Sequence, residues 1–546
     1  MSLNTSSVGI DLEARNSMKG SDLLARCLEN EEVEFVFQVP GEETLAITDS
    51  LGQSRKIKLI TVRHEQAAAF MAGVYGRLTG RPGICVATLG PGATNLATGI
   101  ADANVDRAPL IAVTGQAALE HFHKEYHQYV DVVNILRPIT KWNTRIFKAD
   151  TIPEAVRKAF RTAEAEKPGS CHLEVPEDIA DETAHTTPIP QIAGPEQARP
   201  TTSQIQQAAQ LINKSKAPLI LAGNGIIRSR STAPFREFLA EAKIPVAHTF
   251  MGKGALPDDN PLSLYAIGLP SQELVSKAFE LADLILAVGY DLVEYAPSLW
   301  NPRNDKTIIH VDSTTAEIDT NYQPDIQLVG HIGQTLSILT GQVKPRPSNF
   351  AKSVRESILA EATAKSQDDS YPLKPQRILH DLRDALKRDD ILVSDVGDHK
   401  LWISRLFPTY EPNTVLISNG YASMGIGLPG AIAAKLVHPD RRVVAVCGDG
   451  GFLMTAHELE TAVRIEVGIT AVVFHDNAYG SIKRKQLARF GRASGVDFGN
   501  PDFVQVAKAF NAQGYRPSRA SELASIIESA LDSPKPSVID VPVDYS

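Results

Sequence analysis

Cysteine is scarce in this chain: four among 546 residues (Cys27, Cys85, Cys171, Cys447), far apart and without a C-x-x-C pair. That excludes a disulfide framework and a thiolate zinc site, and it suits a reducing cytoplasm. A cationic surplus is also missing, since 55 Lys and Arg face 64 Asp and Glu for a net charge of −9. Such a chain lacks the charge to hold a phosphate backbone, so no nucleic-acid partner is expected. No apolar run approaches the ~18–20 residues that span a bilayer, so no membrane partner is expected either. The opening MSLNTSSVGIDLEAR carries acids early and has no apolar segment, unlike a secretory signal. What is present is ordinary globular composition, 43% hydrophobic and 22% charged. At ~100–200 residues per domain the length suggests about three domains.

Two stretches read as linkers. One is the Pro/Thr/Gly-rich AHTTPIPQIAGPEQARPTTS, and the other runs from GQVKPRPSNF to SQDDSYPLKP around an Ala-rich middle that suits one helix. They divide the chain into a tail at 1–15, a first domain at 16–185, a linker at 186–203, a central domain at 204–342, a linker at 343–375 and a last domain at 376–546. Each domain repeats β-branched runs ending at Gly, followed by helical patterns. GICVATLG, PLIAVTG, PLILAGNG, DLILAVGY, RVVAVCGDG and ITAVVFHD are examples. Continuous apolar strands alternating with helices predict α/β architecture with three doubly wound parallel sheets. Ligands gather at the carboxyl ends of strands in such sheets.

The segment RVVAVCGDGGFLMTAHELETAVR (442–464) reads as a buried strand, a Gly-rich turn and one amphipathic helix. Gly448, Gly450 and Gly451 let a ligand approach the backbone, and the helix amides favour an anion such as phosphate. Asp449 would repel that anion unless a cation stood between them, and Mg²⁺ accepts carboxylate and phosphate oxygens together. Alone, Gly-Asp-Gly is equally a turn in which Asp449 caps the helix. The next strand, however, ends at Asp476, and two adjacent strand tips can clamp one Mg²⁺ with the carbonyl of Ala478 as a third ligand.

This Asp449–Asp476 spacing resembles the thiamin-diphosphate motif, which usually closes with Asn; here Asp476 takes that place and Asn477 follows. RHEQAAAFMA, VPGEE (39–43), TLGPGATNLATG (88–99), ITKWN and CHLEVPEDIA together resemble the acetohydroxyacid synthase group of thiamin-diphosphate enzymes over nearly the whole chain. The resemblance implies thiamin diphosphate and Mg²⁺ as cofactors. It makes Glu65 the residue that activates the cofactor's pyrimidine, with Asn95 and Pro40 nearby. Gln128 falls on the substrate side and assists catalysis, and His127 stands where Phe is usual. Met424, in SNGYASMGIGLPGA, becomes the apolar wedge that bends the cofactor and brings its reacting atoms together. His399 lies where the family contacts diphosphate; its neighbour Asp398 departs from the commoner Gln or Ser. Tyr479, Gly480 and Ser481 line the cofactor and substrate pocket, with Ser481 in place of Met. Lys485 is a candidate for a keto acid's carboxylate, or else a solvated helix-face lysine.

Gly223-Asn224-Gly225 is similar to a dinucleotide turn but has Arg228 in the third glycine's place. Phrases such as GYDLVEYAPSLWN, DFGNPDF and VIDVPVDYS resemble the catabolic, flavin-free acetolactate synthases, so FAD is not expected. His121, His123 and His127 read as surface or pocket histidines rather than a zinc site. His457 and His475 read as packed histidines or as neighbours of the cofactor. The expected activity is decarboxylation of pyruvate and ligation of the two-carbon unit to a second pyruvate, giving 2-acetolactate and CO₂. Small 2-keto acids are the expected partners. A homodimer or homotetramer is implied, with Glu65 of one subunit facing the Asp449 cluster of the other. Another 2-keto acid decarboxylase or carboligase, and a non-catalytic homologue, are the alternatives.

Overall fold

The computed structural model describes residues 17–191, 198–268, 274–346 and 349–545. The tail expected over 1–15 lies outside them, as do 192–197 and 347–348 of the expected linkers. The chain divides into two compact units, one ending at Gly194 and the other starting at Pro195.

The first unit contains β1 (Met18–Lys19), β2 (Phe35–Gln38), β3 (Lys58–Thr61), β4 (Gly83–Ala87), β5 (Leu110–Gln116), β6 (Trp142–Arg145), β7 (Ser170–Pro176) and β8 (Thr183–Ala184). β1 and β8 form a short antiparallel pair. The others form a parallel sheet in the order β3-β2-β4-β5-β7-β6. β4, β5 and β7 are buried along their whole length, as an apolar strand covered on both faces must be. The winding reverses between β2 and β4, so the loops leaving these strands flank the switch point where open sheets bind ligands.

Three helices frame those loops: α1 (Glu65–Thr79), α2 (Pro91–Asn95) and α3 (Ala97–Val105). The His64 ring accepts from the Gln66 amide at 3.1 Å to start α1, and Gly80 ends it at φ 74°. Every residue from Ala67 to Gly76 is buried. Their small side chains permit close approach: a Cβ on Gly76 would fall 2.0 Å from the Pro109 carbonyl. Glu65 therefore begins a helix that cannot shift without breaking the core.

The second unit holds two more six-stranded parallel sheets. One contains β9 (Pro218–Ala222), β10 (Val246–His248), β11 (Ser263–Ala266), β12 (Leu284–Val288), β13 (Thr307–Asp312) and β14 (Ile326–Val329), in the order β11-β10-β9-β12-β13-β14. A helix, α4 (Asn349–Thr363), lies in the second expected linker. The other sheet contains β15 (Ile391–Ser394), β16 (Val415–Ile417), β17 (Val443–Gly448), β18 (Thr470–His475), β19 (Gln513–Tyr515) and β20 (Ser537–Pro542). Its order, β16-β15-β17-β18-β20-β19, places a switch point between β15 and β17.

Among the helices that follow these strands are α5 (Asp398–Leu406), α6 (Gly427–Val437), α7 (Asp449–Thr455), α8 (Glu458–Arg464) and α9 (Gly480–Phe490). The single helix expected after β17 is thus two. Around Ala456 and His457 the chain tightens into three-residue bonds, Leu459 N to Ala456 O and Glu460 N to His457 O, both 3.1 Å. Thr455 Oγ1 meanwhile donates to the Gly425 carbonyl at 2.9 Å. Periodicity alone cannot see such a break, because the apolar stripe continues across it. Under the site loops Phe452 and Phe474 are fully buried, each removing apolar area worth ~1.5–3 kcal/mol.

Candidate active site

A pocket of about 280 Å³ opens at the β15/β17 switch point, lined by the loops that leave β15, β17 and β18 and by the start of α9. It brings together His399, Met424, Gly448, Asp449, Gly450, Gly451, Asp476, Ala478, Tyr479, Gly480, Ser481 and Lys485, twelve residues singled out from sequence, along with Asp398.

Asp449 is the first residue of α7; Gly448 occupies the cap position. The carboxylate is 2% exposed and heavily bonded. Oδ1 accepts from its neighbour Gly450 N at 2.8 Å. Oδ2 accepts from Asp476 N at 3.2 Å, Asn477 N at 2.7 Å and Asn500 Nδ2 at 2.8 Å. These bonds weld the tip of β17 to the tip of β18. Asn477, one position beyond the expected ligand, turns its backbone left-handed (φ 58°) to present that amide. Asp476 follows the buried strand end, and the Ala478 amide bonds its carboxylate. Burial first, then the charges of Asp449 and Asp398, push the Asp476 carboxyl up to about 6. Around Ala478 the chain bridges to Asp497 through Tyr479 N to Val496 O (2.9 Å) and Phe498 N to Asn477 O (3.1 Å). Neither bond uses the Ala478 carbonyl.

Glycine is required where backbone and carboxylates crowd. A Cβ on Gly451 would fall 2.9 Å from Asp395 Oδ2, and one on Gly480 would fall 2.6 Å from Asp398 Oδ2 and 3.0 Å from Asp476 Oδ2. The last two arms place Asp398 and Asp476 within the ~4–6 Å over which like charges disfavour joint ionisation. Arg484 pairs with Asp398. Burial pushes the His399 ring down to about 4, so it is neutral, and its Nε2 has no hydrogen-bond partner. Asp398 Oδ2 and Asn500 Oδ1 also lack partners.

Two carboxylates on neighbouring strand tips, buried acceptors without donors and a carboxyl raised first by burial and then by its like-charged neighbours fit a divalent oxygen-seeking cation with an anion beside it. Asp449, Asp476 and the Ala478 carbonyl would hold the metal; the amides of the 448–451 turn would face the diphosphate.

The first unit presents the other predicted residues. Asn95 Nδ2 donates to Glu65 Oε2 at 2.9 Å. Glu65 Oε1 lies 3.5 Å from where a Gly92 Cβ would stand. On the far side of the same loop, Gly90 (φ 51°) packs on Gln128, whose carbonyl would be 2.6 Å from a Gly90 Cβ. Gln128 itself is exposed and left-handed, at φ 55°. Pro40 follows β2 beside Gly41, which packs on Thr88. The segment 88–95 thus carries Asn95 and packs beside Glu65 and Gln128 at that unit's switch point.

Asn500, Arg484, Asp395 and Tyr545 escaped sequence reasoning. Asn500 sits inside DFGNPDF, whose polar residue between two turn formers was the available signal; Tyr545, which lines the pocket, had none. Two of the other histidines have packing or hydrogen-bond partners. His121 stacks on Tyr126 at 4.0 Å, and His475 Nδ1 bonds the buried Asp540 at 2.9 Å. Among the described residues, no group of three or more His, Cys, Asp or Glu could by itself hold a metal ion. At 223–225 the turn packs on the backbone of Gly289, and the Asn224 amide donates to the buried Glu294 carboxylate at 3.1 Å.

Comparison with known proteins identifies the class. Family models for thiamine pyrophosphate enzymes match all three sheets: the N-terminal TPP binding domain over 18–135, the central domain over 205–339 and the C-terminal TPP binding domain over 395–541. An acetolactate synthase of Bacillus subtilis (strain 168) is 38% identical over 97% of this chain and 94% of its own length. A catabolic acetolactate synthase of Raoultella terrigena is 35% identical over 96% of this chain and 95% of its own. A probable acetolactate synthase large subunit of Methanocaldococcus jannaschii is also 35% identical, over 96% of this chain and 92% of its own. The chain belongs to the acetolactate synthase family of thiamine pyrophosphate enzymes.

Proposed function

We propose that the protein condenses two molecules of pyruvate into 2-acetolactate and CO₂. The observation that carries this reading is the acidic cluster of Asp449 and Asp476 bonded together across two strand tips, in a chain alike along its length to acetolactate synthases. When bound, thiamin diphosphate supplies the electron sink that lets a 2-keto acid lose CO₂. Asp449, Asp476 and the Ala478 carbonyl would hold Mg²⁺, and Gly448, Gly450 and Gly451 would let the diphosphate reach the α7 amides. Asn95 holds one oxygen of Glu65, and Glu65 Oε1 would be the atom that meets the pyrimidine ring nitrogen. Met424 would set the bend of the cofactor, Tyr479 and Gly480 would wall its pocket, and His399 would face the diphosphate. Gln128 would support the carbonyl of the accepting pyruvate by hydrogen bonding. Pro40 would shape the rim of the pyrimidine loop.

The active unit in this reading is a homodimer or homotetramer, in which Glu65 of one subunit serves the Asp449 cluster of another. No FAD is required: the turn that would take a dinucleotide is packed by Gly289 and its amide is taken by Glu294. A cytoplasmic setting suits four cysteines that are free and buried. A second reading, a 2-keto acid decarboxylase or a carboligase with an altered acceptor, is favoured by Ser481 and Lys485 in the pocket lining. Product analysis after incubating the purified protein with pyruvate, Mg²⁺ and thiamin diphosphate separates the two. Acetolactate is expected; acetaldehyde alone would favour the second reading, and neither product would refute the first.

A further inference from the structure

This inference rests on the cofactor reading and concerns a residue pair that it leaves unused. Asp398 opens α5 directly after the β15 loop and is 5% exposed. Arg484 of α9 holds its Oδ1; its Oδ2 is buried without a hydrogen-bond partner. That oxygen and Asp476 Oδ2 converge on one point beside Gly480, at 2.6 and 3.0 Å. Asp398 therefore adds a third carboxylate to a pocket read as a diphosphate site, at a position where the family resemblance leads one to expect Gln or Ser.

A lone carboxylate there would repel the diphosphate and gain nothing from the metal's first two ligands. Arg484 offsets it. Packing does not explain Arg484, because its side chain is 47% exposed and no residue of α9 is buried. A fixed guanidinium always carries its charge and holds one carboxylate oxygen by a charge-assisted bond.

We propose that Asp398 and Arg484 form a charge-compensated pair that replaces a neutral side chain at the diphosphate subsite, with Arg484 the positioning residue that sets cofactor affinity. The pair has a sign that a mere strap between α5 and α9 lacks. Removing the Arg484 cation leaves a negative charge facing the diphosphate that only the more loosely placed Lys485 offsets, and removing the anion leaves a positive one.

Calorimetric titration of thiamin diphosphate at saturating Mg²⁺ reads this directly. R484M is expected to bind roughly tenfold or more weakly than the unaltered protein. D398S is expected to bind as tightly or tighter, and the double variant D398S/R484M to return to within about threefold. Raising the salt should shrink the R484M defect. Equal weakening by both single variants would overturn the proposal in favour of a strap, and so would an R484M affinity within twofold of the unaltered protein. Failure of the unaltered protein to bind at all would instead sink the cofactor reading, and this inference with it.

Discussion

Neutralising Asp476 is expected to stabilise the ligand-free protein while abolishing its response to Mg²⁺. Burial, Asp449 and Asp398, in that order, raise its carboxyl from 3.8 to about 6. The unfolded chain ionises near 3.8, so between that value and about 6 the folded state binds the extra proton. Folding stability is accordingly full below ~4, falls as pH rises through about 6, and is lowest at neutral pH. Two pH units correspond to at most ~3 kcal/mol. The side chain is partly solvated, which leaves about 1–2 kcal/mol. Asp476→Asn should then raise the melting temperature of the apo protein at pH 7.5 by on the order of 1–3 °C and leave it unchanged below pH ~4. A hundredfold excess of ligand over its Kd stabilises by ~2.7 kcal/mol in the unaltered protein. The variant should lose that increment when Mg²⁺ and thiamin diphosphate are added. Thermal melts at both pH values, with and without ligands, read all of this. A variant less stable at pH 7.5, or one that keeps the full ligand-induced rise, would refute the reasoning.

Glu65→Gln should lower kcat by ~10²–10⁴ with unchanged circular dichroism, because an amide cannot exchange a proton as a carboxyl group does; near-normal turnover would dismiss Glu65 from the chemistry. Asn500→Ala removes a donor to Asp449 Oδ2 and should weaken Mg²⁺ activation by ~10–100-fold in a metal titration. Lys485→Met should raise the KM for pyruvate several-fold while the cofactor Kd stays put. A rise in both constants would move Lys485 from substrate to cofactor.

Much of this architecture was legible because strands buried on both faces must be continuously apolar. GICVA at 83–87, LILAV at 284–288 and AVVFH at 471–475 could hardly be anything else, and each is a strand of a parallel sheet. The candidate site was legible where glycines and small residues constrain the backbone: Gly-Asp-Gly at the start of α7 and Glu65 at the head of a small-residue helix. Side chains arriving from distant segments were not. Asn500 reaches Asp449 across 51 positions of chain, and Arg484 reaches Asp398 across 86, contacts that no local pattern encodes. The helix break at 456–457 was hidden for a related reason. It is set by a tertiary bond from Thr455 to Gly425, while the local apolar period runs on undisturbed.

A crystal structure of the protein with Mg²⁺ and thiamin diphosphate would test the central claim most directly. The account predicts one ion coordinated at ~2.0–2.2 Å by the carboxylates of Asp449 and Asp476 and the carbonyl of Ala478, with diphosphate oxygens completing an octahedron. An ion bound elsewhere, or a diphosphate resting on the 448–451 turn with neither aspartate ligating a metal, would contradict it.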